Sequence, residues 1–334
     1  MKTQQPFVDL GEIERARMAI AGTVRTTPVN NSSSLSGLAG VPVHLKLEHM
    51  QITGSFKLRG AANAVASLSK EERRRGVVGV STGNHGRGLA YAARAAGVRC
   101  IICMSQLVPE AKIDGIKAQG AEVRIVGHSQ DEAQVEVDRL VAEDRMTMIP
   151  PFDHRGIIAG QGTLGLELLE QVPDVTTVLV PVSGGGLISG VAATLKARRP
   201  DIRIVGISME RGAAMHACLK AGKPVFVEEL ATLADSLGGG IGLNNQLTFV
   251  MTRDLVDDLI LVSETEISAA IRHLYWQERQ IVEGSGAVGV AALLAGKVTS
   301  PGPVAVILSG GNIDMKQHHR IISGEDVDVA REAA

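Results

Sequence analysis

Aromatic residues are scarce in this chain, 2% of 334 positions with a single tryptophan, which argues against a stacking platform for single-stranded nucleic acid. Cysteine is nearly absent too, since three residues at irregular spacing cannot form a disulfide framework. Cys100 and Cys103 lie in CIICM, a run that reads as a buried strand, and at that odd spacing they face opposite sides of a sheet. Plain core packing is expected of them rather than a shared metal. No apolar stretch is long enough to span a bilayer, and the opening MKTQQPFVDLGEIERA has no basic segment followed by an apolar run, so the chain is expected in the cytoplasm. An excess of one charge is also missing. With 34 basic against 36 acidic residues the net is -2, and no footprint for nucleic acid or a membrane surface is left. The expected partner is a small molecule.

What the chain does have is a 45% hydrophobic content, enough for a substantial core, and 38 glycines, which allow close backbone approach to a ligand. Short β-branched runs alternate with helical patterns: VHLKLE (43–48), GVVGVS (76–81), CIICM (100–104), EVRIV (122–126), TVLVPV (177–182), RIVGIS (203–208) and VAVIL (304–308). AANAVASLSKEERRR, GLAYAARAAG and DEAQVEVDRLVAED read as helices between them. This alternation predicts stacked βαβ units and mostly parallel sheets covered on both faces. PPFDHRG (150–156) is the plausible crossing point between domains.

Three glycine-rich segments each follow a predicted strand and open a helix: STGNHGRG (81–88), SGGGLISG (183–190) and SGGN (309–312). Ligands in open α/β sheets gather at such strand ends. In SGGGLISG the strand stops at Val182, and the helix from Leu187 to about Arg198 would offer free N–H groups to a phosphate. The segment fits neither GxxxxGK[ST] nor GxGxxG, and a simple tight turn would look the same. Lys57, after Gly54, Ser55 and Phe56, begins a small-residue helix, where a cation is electrostatically disfavoured. By itself it would be an ordinary exposed lysine.

Four ordered motifs, GSFKLRGA, STGNHG, SGGGL and LSGGN, together with FDHRGIIAGQGTLGLELL (152–169), resemble the threonine-dehydratase and serine-racemase family of fold-type-II pyridoxal-phosphate enzymes. The resemblance runs from about Thr26 to Asp314. It implies an α/β fold like the tryptophan synthase β chain, with two three-layer α/β/α domains and the active site in the cleft between them. Residues 1–47 and 150–334 would form the large domain and 48–149 the small one. Biosynthetic relatives carry a regulatory domain after the catalytic part; this chain ends about twenty residues beyond SGGN, so no such domain is expected.

The same resemblance implies that Lys57 carries pyridoxal 5'-phosphate as a Schiff base and moves the substrate's α-proton. Phe56 would pack on the cofactor ring and Asn84 would bind its 3-hydroxyl. Ser81, Thr82, Gly83 and His85 would hold the substrate carboxylate, with Thr82 also the candidate second acid–base group. Gly184, Gly185, Gly186 and Leu187 match the phosphate loop; Ser183 replaces the first of four glycines but can still donate. Ser309 would stand beside the pyridine nitrogen, and a neutral hydroxyl there does not force the ring to stay protonated. Gly238 and Glu283 are secondary candidates, the latter equally able to serve as a helix-opening carboxylate.

Lysine and asparagine motifs of the SVKDR and TSGNTG kind, typical of the sulfur-transferring branch, are not what this chain has. SMERGAAM (208–215), ADSLGGGIG (234–242) and YWQERQIVEGSGAVG (275–289) look like the branch associated with hydroxyectoine breakdown. Some relatives bind a divalent ion near Glu210 to His216, but His216 replaces an aspartate and a hard cation prefers oxygen, so no metal is expected. Adjacent helical residues point apart, so His318 and His319 are expected to be solvated rather than to share an ion. The function implied is β-elimination of water and deamination of a small hydroxyamino acid by a homodimer or higher homo-oligomer. Racemisation at the same site is the first alternative, and a non-catalytic phosphate-ligand-binding protein the second.

Overall fold

The computed structural model describes residues 7–332 apart from 82, 107 and 109. Ten strands are seen among these residues: β1 (Val29–Asn31), β2 (Val43–Lys46), β3 (Val77–Val80), β4 (Cys100–Met104), β5 (Glu122–Ile125), β6 (Thr147–Met148), β7 (Thr177–Pro181), β8 (Arg203–Met209), β9 (Asp258–Val262) and β10 (Val304–Ile307). They form two sheets. The larger has the order β1-β2-β10-β7-β8-β9 and the smaller β5-β4-β3-β6. Only the β1–β2 pairing is antiparallel. The chain therefore leaves the larger sheet after β2, builds the smaller one, and returns at β7.

The α/β fold with mostly parallel sheets is as expected, and all seven β-branched runs form strands. In β4 and β7 every residue is buried, the pattern of strands covered on both faces. Cys100 and Cys103 are free and join different hydrophobic clusters on the two faces of the smaller sheet. Strands β1, β6 and β9 were not foreseen. The first two are only three and two residues long, too short for an alternation to register.

The helical pattern after residue 60 is in fact two helices, Lys57–Ala66 and Lys70–Arg75. Ser69 separates them because its hydroxyl accepts the Glu72 N–H while Glu72 reaches back to the Ser69 N–H. His318 corrects another expectation: it is buried, not solvated, and packs edge-on against Tyr275 with ring centroids 5.4 Å apart. The lysine helix, Lys57–Ala66, packs on both the asparagine helix, Asn84–Ala95, and the long helix Arg155–Gln171. Glycine permits the closest of these approaches. A Cβ on Gly160 would lie 2.5 Å from the Arg59 carbonyl oxygen, and one on Gly88 would lie 3.1 Å from the Leu58 nitrogen.

Candidate active site

A cavity at the carboxyl ends of β7 and β10 is lined by Lys57, Asn84, Phe152, Ser183 to Leu187, Ser236, Glu283 and Ser309, with Phe56 and Ser285 alongside. Strand β7 ends at Pro181, and the chain turns through Ser183 and three glycines into the helix Gly186–Arg198. Gly185 holds φ +87°, a conformation that favours glycine, and no side chain caps this helix. Its first N–H groups are left to the cavity, a ready anion site. The glycines are also required by space. A Cβ on Gly184 would lie 2.3 Å from the Phe152 ring, and one on Gly185 2.8 Å from the Met215 methyl.

Lys57 is the first residue of its helix, and its Nζ donates to the Pro151 carbonyl at 3.1 Å and stands 5.4 Å from the Phe56 ring centre. Burial pushes the amine down to about 8, against the opposing pull of Glu283. The preceding loop is stapled to the end of β10: the Phe56 N–H donates to the Ser309 carbonyl at 3.1 Å, and Ser55 bridges Gly310. Ser309 is buried, with its hydroxyl 3.5 Å from the Ser285 carbonyl.

Asn84 is fixed by two neighbours. Its amide donates to Glu283 Oε1 at 2.7 Å, and its carbonyl accepts from Asn312 Nδ2 at 2.6 Å. Asn312 also donates its backbone N–H to Glu283 Oε2 at 3.0 Å. Burial, with Asp235 nearby, pushes the Glu283 carboxyl up to about 7, although Asn84 and Asn312 oppose this. Glu283 caps no N–H of the helix it precedes, so it faces the site rather than serving as a helix-opening cap.

The remaining candidates stand back from the cavity. Ser81 uses its hydroxyl locally, accepting the Gly86 N–H at 3.0 Å, and Gly83 precedes the asparagine helix. His85 is buried with Nε2 2.9 Å from the Ile149 carbonyl oxygen; burial and then the Lys57 cation push it down to about 4. Gly238 does not line the cavity, whereas Ser236 and Leu237 just before it do. Thr82 lies outside the described residues. Sequence reasoning passed over Asn312, Phe152, Ser236 and Ser285, although each sits in a quoted segment: SGGN, FDHRG, ADSLGGG and VEGSGA.

The chain belongs to the family of pyridoxal-phosphate-dependent enzymes, which it matches over residues 20–310. It is 61% identical over 318 residues to a Sinorhizobium fredii protein named provisionally as a threonine dehydratase, covering 95% of this chain and 96% of that one. It is 41% identical over 317 residues to the L-threonine ammonia-lyase of Thermotoga maritima, covering 95% and 79%. The structure of maize serine racemase superposes with a TM-score of 0.89 at 36% identity, covering 95% of this chain and 97% of that one. The chain is thus a fold-type-II enzyme that depends on pyridoxal phosphate.

The residues present fit that cofactor. The uncapped Gly185–Gly186 turn offers a phosphate cradle that side chains would fill, and Lys57 supplies an amine in the same cavity. The buried Ser285 hydroxyl has no hydrogen-bond partner, as expected where a ligand completes the site. Among the described residues no helix is long and apolar enough to cross a membrane.

Proposed function

We propose that this enzyme eliminates water from, and deaminates, a small hydroxyamino acid. The observation that carries the reading is a single one: the Lys57 amine, lowered to about 8, shares one cavity with an uncapped glycine turn and a neutral hydroxyl at Ser309. The relatives named for threonine dehydration and deamination support it. Bound pyridoxal phosphate supplies an electron sink for the bond broken at the substrate's α-carbon.

The protein's part follows from its own groups. The Gly184–Leu187 turn would bind the phosphate through N–H groups and the helix dipole. Asn84, held by Asn312 and Glu283, would orient the ring through its 3-hydroxyl, and Phe56 would pack on the ring. Lys57 would hold the cofactor and, once displaced by the substrate amine, take the α-proton at Nζ. Its lowered pKa leaves a useful neutral fraction near pH 8. Ser309 would stand by the pyridine nitrogen as a neutral partner that does not force protonation, an arrangement that would favour departure of a β-hydroxyl. The loop of Ser81, Gly83 and His85 would present its N–H groups to the substrate carboxylate.

The domain division at 48–149, a homodimer or higher homo-oligomer, a cytoplasmic location and a substrate that is threonine- or serine-like or derived from hydroxyectoine are parts of the same proposal. A turnover screen of threonine, serine and hydroxyectoine-derived amino acids, following keto-acid and ammonia release, tests it. No release from any β-hydroxyamino acid by cofactor-saturated enzyme would sink it.

A further inference from the structure

Two residues beyond the lysine, Arg59 is fully buried in the first turn of the same helix. Its Nε donates to Glu48 Oε2 at 2.8 Å and one NH2 proton to Glu48 Oε1 at 2.8 Å. On the other side it donates to Glu167 Oε1 at 2.7 Å, to Glu167 Oε2 at 2.9 Å and to the Thr163 hydroxyl at 3.3 Å. A guanidinium has five N–H donors, and all five are engaged.

Lys46 completes the group. Its ammonium donates to the Thr27 carbonyl at 2.8 Å, to Glu167 Oε2 at 2.6 Å and to Gln171 Oε1 at 2.8 Å, which uses all three of its protons. The Thr27 hydroxyl donates to Glu48. Burial alone would raise the Glu48 carboxyl, but the Arg59 fork holds it below the ordinary range. Two buried cations and two buried carboxylates thus cancel with no hydrogen-bonding proton left over.

Such a cluster is poor evidence for stability, because desolvation offsets most of the attraction. Its placement is more telling. Arg59 joins three segments that frame the lysine: Glu48, where β2 runs out before the lysine loop; the first turn of the lysine helix; and Glu167 and Thr163 of the helix Arg155–Gln171. The lysine helix also begins with two cations and no side-chain cap, an arrangement its own dipole opposes. The two carboxylates counter that opposition.

We propose that Arg59 is a positioning residue for Lys57: by committing all five donors to Glu48, Thr163 and Glu167, it fixes the first helical turn and so the place of the Lys57 amine in the cavity. This rests on the reading of Lys57 as the cofactor-binding lysine. A lysine at position 59 keeps the charge but has no planar fork, so it cannot hold both carboxylates.

The test uses the full chain freed of cofactor, as wild type, Arg59→Lys and Thr163→Val. Added pyridoxal phosphate is followed as it attaches to Lys57, the site being confirmed by borohydride reduction and peptide mapping, at several pH values, with folding checked by thermal melting. Glu283 and His85, the other ionisable groups coupled to Lys57, stay unchanged in every variant. The expected result is attachment slowed about tenfold or more in folded Arg59→Lys, with its pH midpoint displaced toward that of a free lysine. Thr163→Val, which removes one of the five bonds and no charge, should show a smaller change in the same direction, and it decides the matter if Arg59→Lys does not fold. Wild-type rate and midpoint in the folded variants would overturn the inference. Failure of the wild type itself to react at Lys57 would instead overturn the functional reading.

Discussion

Only a neutral amine attacks an aldehyde, so the rate at which Lys57 captures pyridoxal phosphate should follow its deprotonation. Burial lowers that amine from 10.5 to about 8. At pH 7 an amine of pKa 8 is about 9% neutral, against about 0.03% for an ordinary lysine, an advantage of roughly 300-fold. The assay is initial attachment rate in the cofactor-free chain between pH 7 and 10, a range in which the cofactor's phosphate stays doubly charged. The rate should rise with pH, bend near pH 8 and then flatten. Glu283 pulls the other way on the amine, so Glu283→Gln should move the bend below that of wild type. A bend near pH 10, or an adduct on any other lysine, would refute the reasoning. The same shift has a stability consequence with a definite sign. The unfolded lysine holds its proton up to 10.5 and the folded one only to about 8, so stability from this group rises with pH across that window.

Gly184→Ala should lower cofactor affinity at least tenfold, because its Cβ would stand 2.3 Å from the Phe152 ring and the turn must open; equilibrium titration of the cofactor checks this. Ser309→Asp should keep the cofactor but slow ammonia release about tenfold or more, since a buried carboxylate there would keep the pyridine nitrogen protonated; undiminished turnover would show that ring protonation is not controlling. In Glu283→Gln the pH dependence of stability should change in a stated window. The folded carboxyl is raised from 4.5 to about 7, so its favourable contribution is complete below 4.5 and is lost as pH rises through 7, on the order of 3 kcal/mol. Denaturant melts of wild type minus variant should therefore fall between pH 4.5 and 7, and a flat difference would contradict the burial argument.

Much of this was legible in the sequence because the fold and the cofactor loops write local signals. Continuous apolar runs such as CIICM and TVLVPV read as strands covered on both faces, and SGGGL reads as a tight strand-to-helix turn, as they prove to be. The side chains that hold the site from behind left no such mark. Asn312 matters because its amide reaches Asn84, 228 positions earlier in the chain, and no spacing rule reports a contact of that separation. Arg59 reads as one more charge in KLRG; that it is fully buried between Glu48 and Glu167 follows only from the packing of the helix Arg155–Gln171 on the lysine helix. His85 is a similar case: GNHG marks its loop, but that its ring is tied to the Ile149 carbonyl, 64 positions on, is a contact no local motif reports.

The balance between elimination and racemisation turns on how many groups in the cavity can move a proton. A fold shared with maize serine racemase does not decide it, since function lies in the site and not in the architecture. Among the described residues that line the cavity, Lys57 and Glu283 alone are ionisable near neutral pH. Glu283 is occupied: one oxygen accepts from Asn84 and the other from the Asn312 backbone. A second lone pair remains on each oxygen, but both bonds hold the carboxylate against Asn84 and Asn312 as their support. Lys57 is therefore the one base in this set that is free to act. Inverting a stereocentre requires a second group on the opposite face, and Thr82, the sequence candidate, is a β-branched hydroxyl and a weak base at neutral pH. Losing a β-hydroxyl as water needs no second base, because the proton Lys57 takes from the α-carbon can be returned to the departing oxygen. With one mobile proton carrier among the described cavity residues, and with Ser309 as the proposed neutral partner of the ring nitrogen, the site is suited to elimination far more than to inversion.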